Sequence, residues 1–217
     1  KFISSYRYKI PILLVQEKIK RGYITINSNI KFNKSSGKIS HYEINGFIEK
    51  MNVIFSKDVI FNDFDFEFNI KNNEFNLKNI KGNYKNIGLK SNLISIKKKS
   101  NVFNVEGSFE NINENLLLDD LIFLKQYDFQ KYFQDKLAIK IKNKFSFSIT
   151  KKLKVKKINF SSKINYKELV FKYKDDNLKS FLPEYDEKTK LKDGEITFKL
   201  SKNKYSVSGN TKYLYNN

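Results

Sequence analysis

Residues 64–84 read FDFEFNIKNNEFNLKNIKGNY, and this stretch decides the fold class. Phe64, Phe66, Phe68 and Ile70 alternate with Asp65, Glu67 and Asn69. In an extended chain, successive side chains point to opposite faces, so this run has one apolar face and one wet face. Lys71-Asn72-Asn73-Glu74 interrupts it with four polar residues, the composition of a tight turn. Phe75-x-Leu77 resumes the alternation and leads to Ile80-Lys81-Gly82-Asn83-Tyr84. The unit is a β-hairpin.

The same unit recurs along the chain. Ile94-x-Ile96, a polar turn over 97–101 and Phe103-x-Val105-x-Gly107-x-Phe109 form a second copy. Ile196-x-Phe198-x-Leu200, the turn Ser201-Lys202-Asn203-Lys204 and Tyr205-x-Val207-x-Gly209-x-Thr211 form a third. Ile30 and Phe32, a turn over 33–38 and Tyr42-x-Ile44-x-Gly46-x-Ile48 form a fourth. Each copy places a glycine on the apolar register of its second strand, where glycine marks a bend, a bulge or a close backbone approach. One glycine per unit at the same phase predicts a sheet that curves regularly. Alternation also runs through Ile24-Ile26, Phe145-Phe147-Ile149, Ile158-Phe160 onward to Ile164 and Tyr166, and Leu169-Phe171-Tyr173.

Composition points the same way. Ala138 is the single alanine, prolines number two, and Phe, Ile, Asn and Lys crowd the chain. The best helix former is thus nearly absent, while strand-favouring residues abound. With no cysteine, disulfides and thiolate metal sites are excluded. At 217 residues, 40% of them hydrophobic, the chain is long enough to bury a core and is not disordered by composition.

The expected fold is mostly β: a long, curved, repetitive antiparallel sheet forming an open hydrophobic groove, with one helical insert. That insert is expected over 111–136, where Leu117, Leu118, Leu121, Leu124, Phe129, Tyr132 and Phe133 fall at helical spacing, with Asn113 or Asn115 as N-cap. Residues 1–110 form a first hairpin segment and 137–217 continue it as one architectural unit. A loop or short helix is expected over 175–193, around Ser180-Phe181-Leu182-Pro183. The chain opens at Lys1 without Met and stops just past a strand pattern, so it reads as a middle segment of a longer protein. No run approaches the roughly 20 apolar residues of a membrane-spanning helix.

Forty-two basic residues against 23 acidic ones give a net charge of +19, yet Arg7 and Arg21 are the only arginines. A basic chain can attract nucleic acid, anionic lipid or an acidic partner. Lys, Asn, Ile and Phe are also what an AT-rich genome supplies, and the shortage of arginine argues against nucleic acid as partner. No aromatic RNA-recognition signature is present. The run Lys97-Lys98-Lys99 falls in a hairpin turn, and Lys151-Lys152, Lys154 and Lys156-Lys157 interleave with Leu153 and Val155 as on a solvated strand face or one set against head groups.

Little catalytic chemistry is on offer. His41 is the only histidine, so neither a serine triad nor a histidine metal site can be assembled around it. Ser36-Gly37-Lys38 is followed by Ile39, which breaks any phosphate-loop reading. Asp63, Asp65 and Glu67 read as the wet face opposite the phenylalanines rather than as a carboxylate site. No catalytic residue, metal ligand or cofactor is assigned, and the expectation is a protein that is not an enzyme.

An apolar sheet face must be covered by a second sheet, a closed barrel or a ligand. The repeated strand, polar turn and strand-with-glycine unit resembles the AsmA-like family of envelope proteins, with its TamB and YhdP branches, most clearly over 66–84, 102–110 and 194–213. That resemblance implies a bridge-like lipid-transfer segment in the periplasm. Its parent would be anchored in the inner membrane and would shield phospholipid acyl chains on their way to the outer membrane. The groove floor expected on this basis is Phe64, Phe66, Phe68, Phe75, Leu77, Phe103, Val105, Phe145, Phe147, Phe160, Phe198 and Val207. The alternative is a β-rich surface or adhesin-like binding protein in which the same residues make a closed sandwich core.

Overall fold

The computed structural model describes residues 19–56, 59–117, 136–150, 154–172 and 188–214, together with Ser180. Every element with described bounds is a strand. They are β1 (Ile19–Phe32), β2 (Ile39–Ser56), β3 (Val59–Lys71), β4 (Glu74–Tyr84), β5 (Ile87–Lys99) and β6 (Val102–Asn111). The others are β7 (Asn115–Leu117), β8 (Lys136–Thr150), β9 (Val155–Lys172), β10 (Lys188–Ser201) and β11 (Lys204–Leu214). Strand order follows chain order from β1 to β6 and from β8 to β11, with β7 pairing β8 beside this path. The result is one antiparallel sheet of eleven strands, not closed, with ten strands on the path and β7 beside it. Contacts divide it into two units, 1–108 with 146–156 and 109–145 with 157–217, so the division falls within β6, β8 and β9.

In the first unit the polar interruptions are turns at the expected places. Asn72 takes a left-handed conformation (φ 52°) between β3 and β4. Residues 33–38 close β1 onto β2, with Asn33 Oδ1 accepting the N–H groups of Ser35 and Ser36 at 3.0 and 3.1 Å. The expected turn at 97–101 is tighter than its composition suggests: Lys97–Lys99 continue β5, and only Ser100-Asn101 turn. On the wet face, Asn27, Asn45, Asn69 and Asn76 stand opposite one another across β1–β4. Asn69 Nδ2 donates to Asn45 Oδ1 and, at 3.1 Å, to Glu43 Oε1. Part of the asparagine content is therefore a cross-strand ladder of polar pairs.

Three adjacent strands each carry a non-glycine residue in the left-handed region: Lys50 (φ 52°) on β2, Asp63 (φ 51°) on β3 and Asn79 (φ 52°) on β4. Register shifts accompany them, between Ile48 and Met51 in the β2–β3 pairing and on both sides of Asp65 in the β3–β4 pairing. These are β-bulges, which add local twist and re-aim side chains. The acidic set serves them. Asp65 Oδ1 accepts the Lys50 N–H at 2.8 Å, Glu67 Oε1 accepts from Asn79 Nδ2 at 3.0 Å, and Asp63 Oδ1 pairs with Arg21 Nη2 at 2.6 Å. Asp65→Ala removes the acceptor at the first bulge. At this exposed site water replaces much of the bond, so the expected loss is about 0.5–1 kcal/mol, read as a lower urea midpoint with an unchanged slope.

Two of the four phased glycines, Gly46 and Gly82, accommodate aromatic rings, whereas Gly209 faces the carbonyl of Glu195. A Cβ on Gly46 would meet first the carbonyl oxygen of Thr25 and then the Phe68 ring at 2.6 Å, and one on Gly82 would meet the Phe64 ring at 2.3 Å. In the second unit, a Cβ on Gly194 would lie 2.0 Å from Tyr166 Cζ. Gly46, Gly82 and Gly194 thus each let a neighbouring strand's ring lie flat on the sheet, and the ring covers backbone that would otherwise be bare.

The second unit contains the main departures from expectation. The helix expected over 111–136 does not start at Asn113 or Asn115, because Asn115–Leu117 is a strand paired with Lys136–Ala138. Residues 118–135 lie outside the described residues. Leu116 (2% exposed), Leu137, Ile139 and Ile141 are buried here, so apolar burial holds an extended conformation that polar neighbours alone would not. Asn111 is buried beside them. Its Nδ2 donates to the carbonyls of Asn113 (2.6 Å) and Ile139 (2.9 Å), and its Oδ1 accepts the Ile141 N–H (2.6 Å). Of the loop or short helix expected over 175–193, residues 188–193 are strand, the opening of β10. Ser180 apart, the remainder lies outside the described residues. Lys202 and Asn203 both take positive φ (49° and 61°) in the turn to β11, the geometry of a type I′ hairpin.

Candidate functional site

The face that carries most of the candidate residues is built by register in the first unit. Ile26 stands opposite Gly46, Gly46 opposite Phe68, Phe68 opposite Leu77, and Leu77 opposite Ile94. A second row runs Ile24, Ile48, Phe66, and a third runs Ser28, Ile44, Ile70, Phe75, Ile96. Because side chains alternate with period two, each row lies on the same side of the sheet. The result is an apolar face continuous across five strands.

Burial along it is graded. On β3, Phe66 (8% exposed), Phe68 (7%) and Phe64 are buried, while Phe75 and Leu77 on β4 are half-buried. The Phe68 and Phe75 rings meet edge-on with centroids 6.5 Å apart. On β6, Phe103 is half-buried and Val105 buried, and Phe147 on β8 is half-buried. Toward β1 the cover ends: Ile24, Ile26 and Ile30 are 58%, 56% and 43% exposed. These three were absent from the expected floor, although Ile24 and Ile26 had shown the alternation.

The other expected residues lie in the second unit. Phe145 stacks on Phe109 with centroids 6.0 Å apart, and Phe160 lies 6.2 Å from Phe198, which in turn packs against Tyr205. Phe198 pairs with Val207, but Val207 is 69% exposed and buries little.

The wet side of the sheet is electrostatically ordinary. Lys97–Glu74, Lys163–Glu195 and Lys212–Asp193 are exposed ion pairs at 2.7–3.5 Å, each worth little in water. Among the described residues no group of three or more His, Asp or Glu side chains is placed to hold a metal ion, and His41 is half-buried on β2 opposite Lys31. The chemistry available on the apolar face is burial of hydrocarbon. Comparison with known protein families, with characterised proteins and with solved structures returned no match for this chain.

Proposed function

We propose that this chain is a non-enzymatic lipid-carrying segment whose apolar sheet face shields phospholipid acyl chains, as the resemblance to AsmA-like envelope proteins implies. In that reading it forms part of a periplasmic bridge between inner and outer membranes. The observation that carries the proposal is the apolar face that runs through consecutive registers of β1–β5 and emerges uncovered at Ile24, Ile26 and Ile30. Transfer of hydrocarbon onto such a face is favourable by roughly 0.8 kcal/mol per CH2 and needs no precise polar geometry. Acyl chains can therefore slide along the rows while head groups stay in water.

A direct test replaces exposed isoleucines on the β1 part of the face. Ile26→Asp with Ile30→Asp leaves the buried residues of β3 intact, so the fold should persist while a fluorescent phospholipid binds at least about tenfold more weakly. Unchanged lipid binding by this folded variant would show that the lipid does not lie on this face. Phe66→Asp is less informative, because Phe66 is buried and its loss unfolds the sheet in either reading.

The deep burial of Phe64, Phe66, Phe68 and Ile80 supports a second reading, a β-rich surface-binding protein with a closed core. On that reading wild-type protein carries no lipid at all.

A further inference from the structure

In an antiparallel meander every second connection falls at the same end of the sheet. In the first unit those connections are β1–β2, β3–β4, β5–β6 and β8–β9. Contacts tie several of them together. The Tyr42 hydroxyl donates to the carbonyl of Asn72, the Lys98 N–H donates to the carbonyl of Asn73 at 2.7 Å, and Ser148 Oγ lies 2.8 Å from Asn104 Oδ1. Alternate strands are about 10 Å apart, so neighbouring connections lie within about one Debye length and their charges act together.

That end is lysine-rich. Lys31, Lys34 and Lys38 flank the first connection and Lys71 the second. Lys97, Lys98 and Lys99 lead into the third, and Lys154 and Lys156 follow the fourth; all of these are exposed. The carboxylates among them are Glu43, which bonds Asn69, and Glu74, 3.5 Å from Lys97. Glu49, Asp63, Asp65 and Glu67 instead gather at or beside the bulges. Of the fifteen lysines described in the first unit, these nine lie at this end and six lie elsewhere on the sheet, so the lysine is concentrated here rather than spread evenly.

We propose that this end of the first unit docks on an anionic phospholipid bilayer. Two features favour a bilayer over nucleic acid. The charge is all lysine, a strongly hydrated point charge suited to diffuse attraction, while Arg21 is held by Asp63 among the bulges. Exposed apolar side chains also sit between the lysines: Phe32 and Ile39 beside the first connection and Val155 after the fourth. Such residues enter the boundary between head groups and acyl chains.

The test is flotation of the full 217-residue chain with phosphatidylcholine vesicles, with and without phosphatidylglycerol. Binding should require the anionic lipid and fall steeply with salt. Replacing Lys31, Lys34, Lys38, Lys98 and Lys99 by Gln should weaken it about 100-fold, whereas Gln at Lys20, Lys78, Lys81, Lys85 and Lys90 should leave it within a few-fold. Equal losses in the two sets, no binding, or retention of duplex DNA in place of vesicles would each overturn the proposal. If the five-site variant fails to fold by circular dichroism, the pair Lys98→Gln and Lys99→Gln carries the comparison, with a smaller loss expected. Docking does not depend on lipid carriage. A chain that floats but extracts no lipid keeps this end and loses the carrier reading, and a chain that extracts lipid without floating does the reverse.

Discussion

Asn111→Ala is expected to lower the free energy of unfolding by about 3 kcal/mol, among the largest effects of any single polar substitution in the described chain. The carboxamide of Asn111 is buried where β6 gives way to β7, and it joins three backbone groups on two segments: the carbonyls of Asn113 and Ile139 and the N–H of Ile141. Alanine leaves these groups without their partner in a region lined by Leu116, Leu137 and Ile139, where water has poor access. Asn111→Asp should be at least as damaging, since its oxygens would face two carbonyls. Asn104 donates no such set of bonds and is exposed on β6, so Asn104→Ala should shift the urea midpoint little. Equal midpoints for Asn111→Ala and Asn104→Ala would show that the β6–β7 break is not held by this side chain.

Gly82→Val is expected to cost about 2–3 kcal/mol through overpacking. The new Cβ would lie 2.3 Å from the Phe64 ring, and the ring cannot lift away without exposing apolar surface that it now buries. Because the clash involves one identified partner, it should be partly relieved by that partner. Phe64→Leu alone destabilises, but combined with Gly82→Val it should recover about 1 kcal/mol relative to the sum of the two single changes. Additive single effects would mean that Phe64 and Gly82 do not share the space. Gly209, whose added Cβ would be limited mainly by the carbonyl of Glu195 at 2.9 Å, should respond more weakly.

The hairpins were legible because two simple periods were present at once. Strict alternation marked the strands, and clusters such as Lys71-Asn72-Asn73-Glu74 and Ser201-Lys202-Asn203-Lys204 marked turns that the structure places at those residues. Helical spacing misled at Asn115–Leu117, where a short apolar run fits either period and burial of Leu116 against the start of β8 decides for strand. The role of Gly46 and Gly82 was hidden because it depends on a ring from the neighbouring strand, and cross-strand register is not written in local sequence. The bulges did leave a trace. Ile48 and Met51, Phe61 and Phe64, and Leu77 and Ile80 are apolar pairs three apart, each with the left-handed residue just before the second member. In a regular strand such a spacing would put the second residue on the wrong face, and the bulge returns it. Met51 and Ile48 indeed pair with Phe64 and Phe66 on one side of the sheet. The exposure of Val207 and of the β1 isoleucines was out of reach of pattern alone, because alternation tells which side a residue faces and not whether anything lies over it.

Whether the apolar face receives acyl chains is read by native mass spectrometry of the chain after incubation with phospholipid vesicles and re-purification. If it does, the folded wild-type chain carries mass adducts of intact phospholipid, and these are lost in the Ile26→Asp, Ile30→Asp variant while the melting transition stays in place. A lipid-free wild-type mass with a cooperative melt would mean that the face holds no acyl chain and would assign the buried phenylalanines to a closed core.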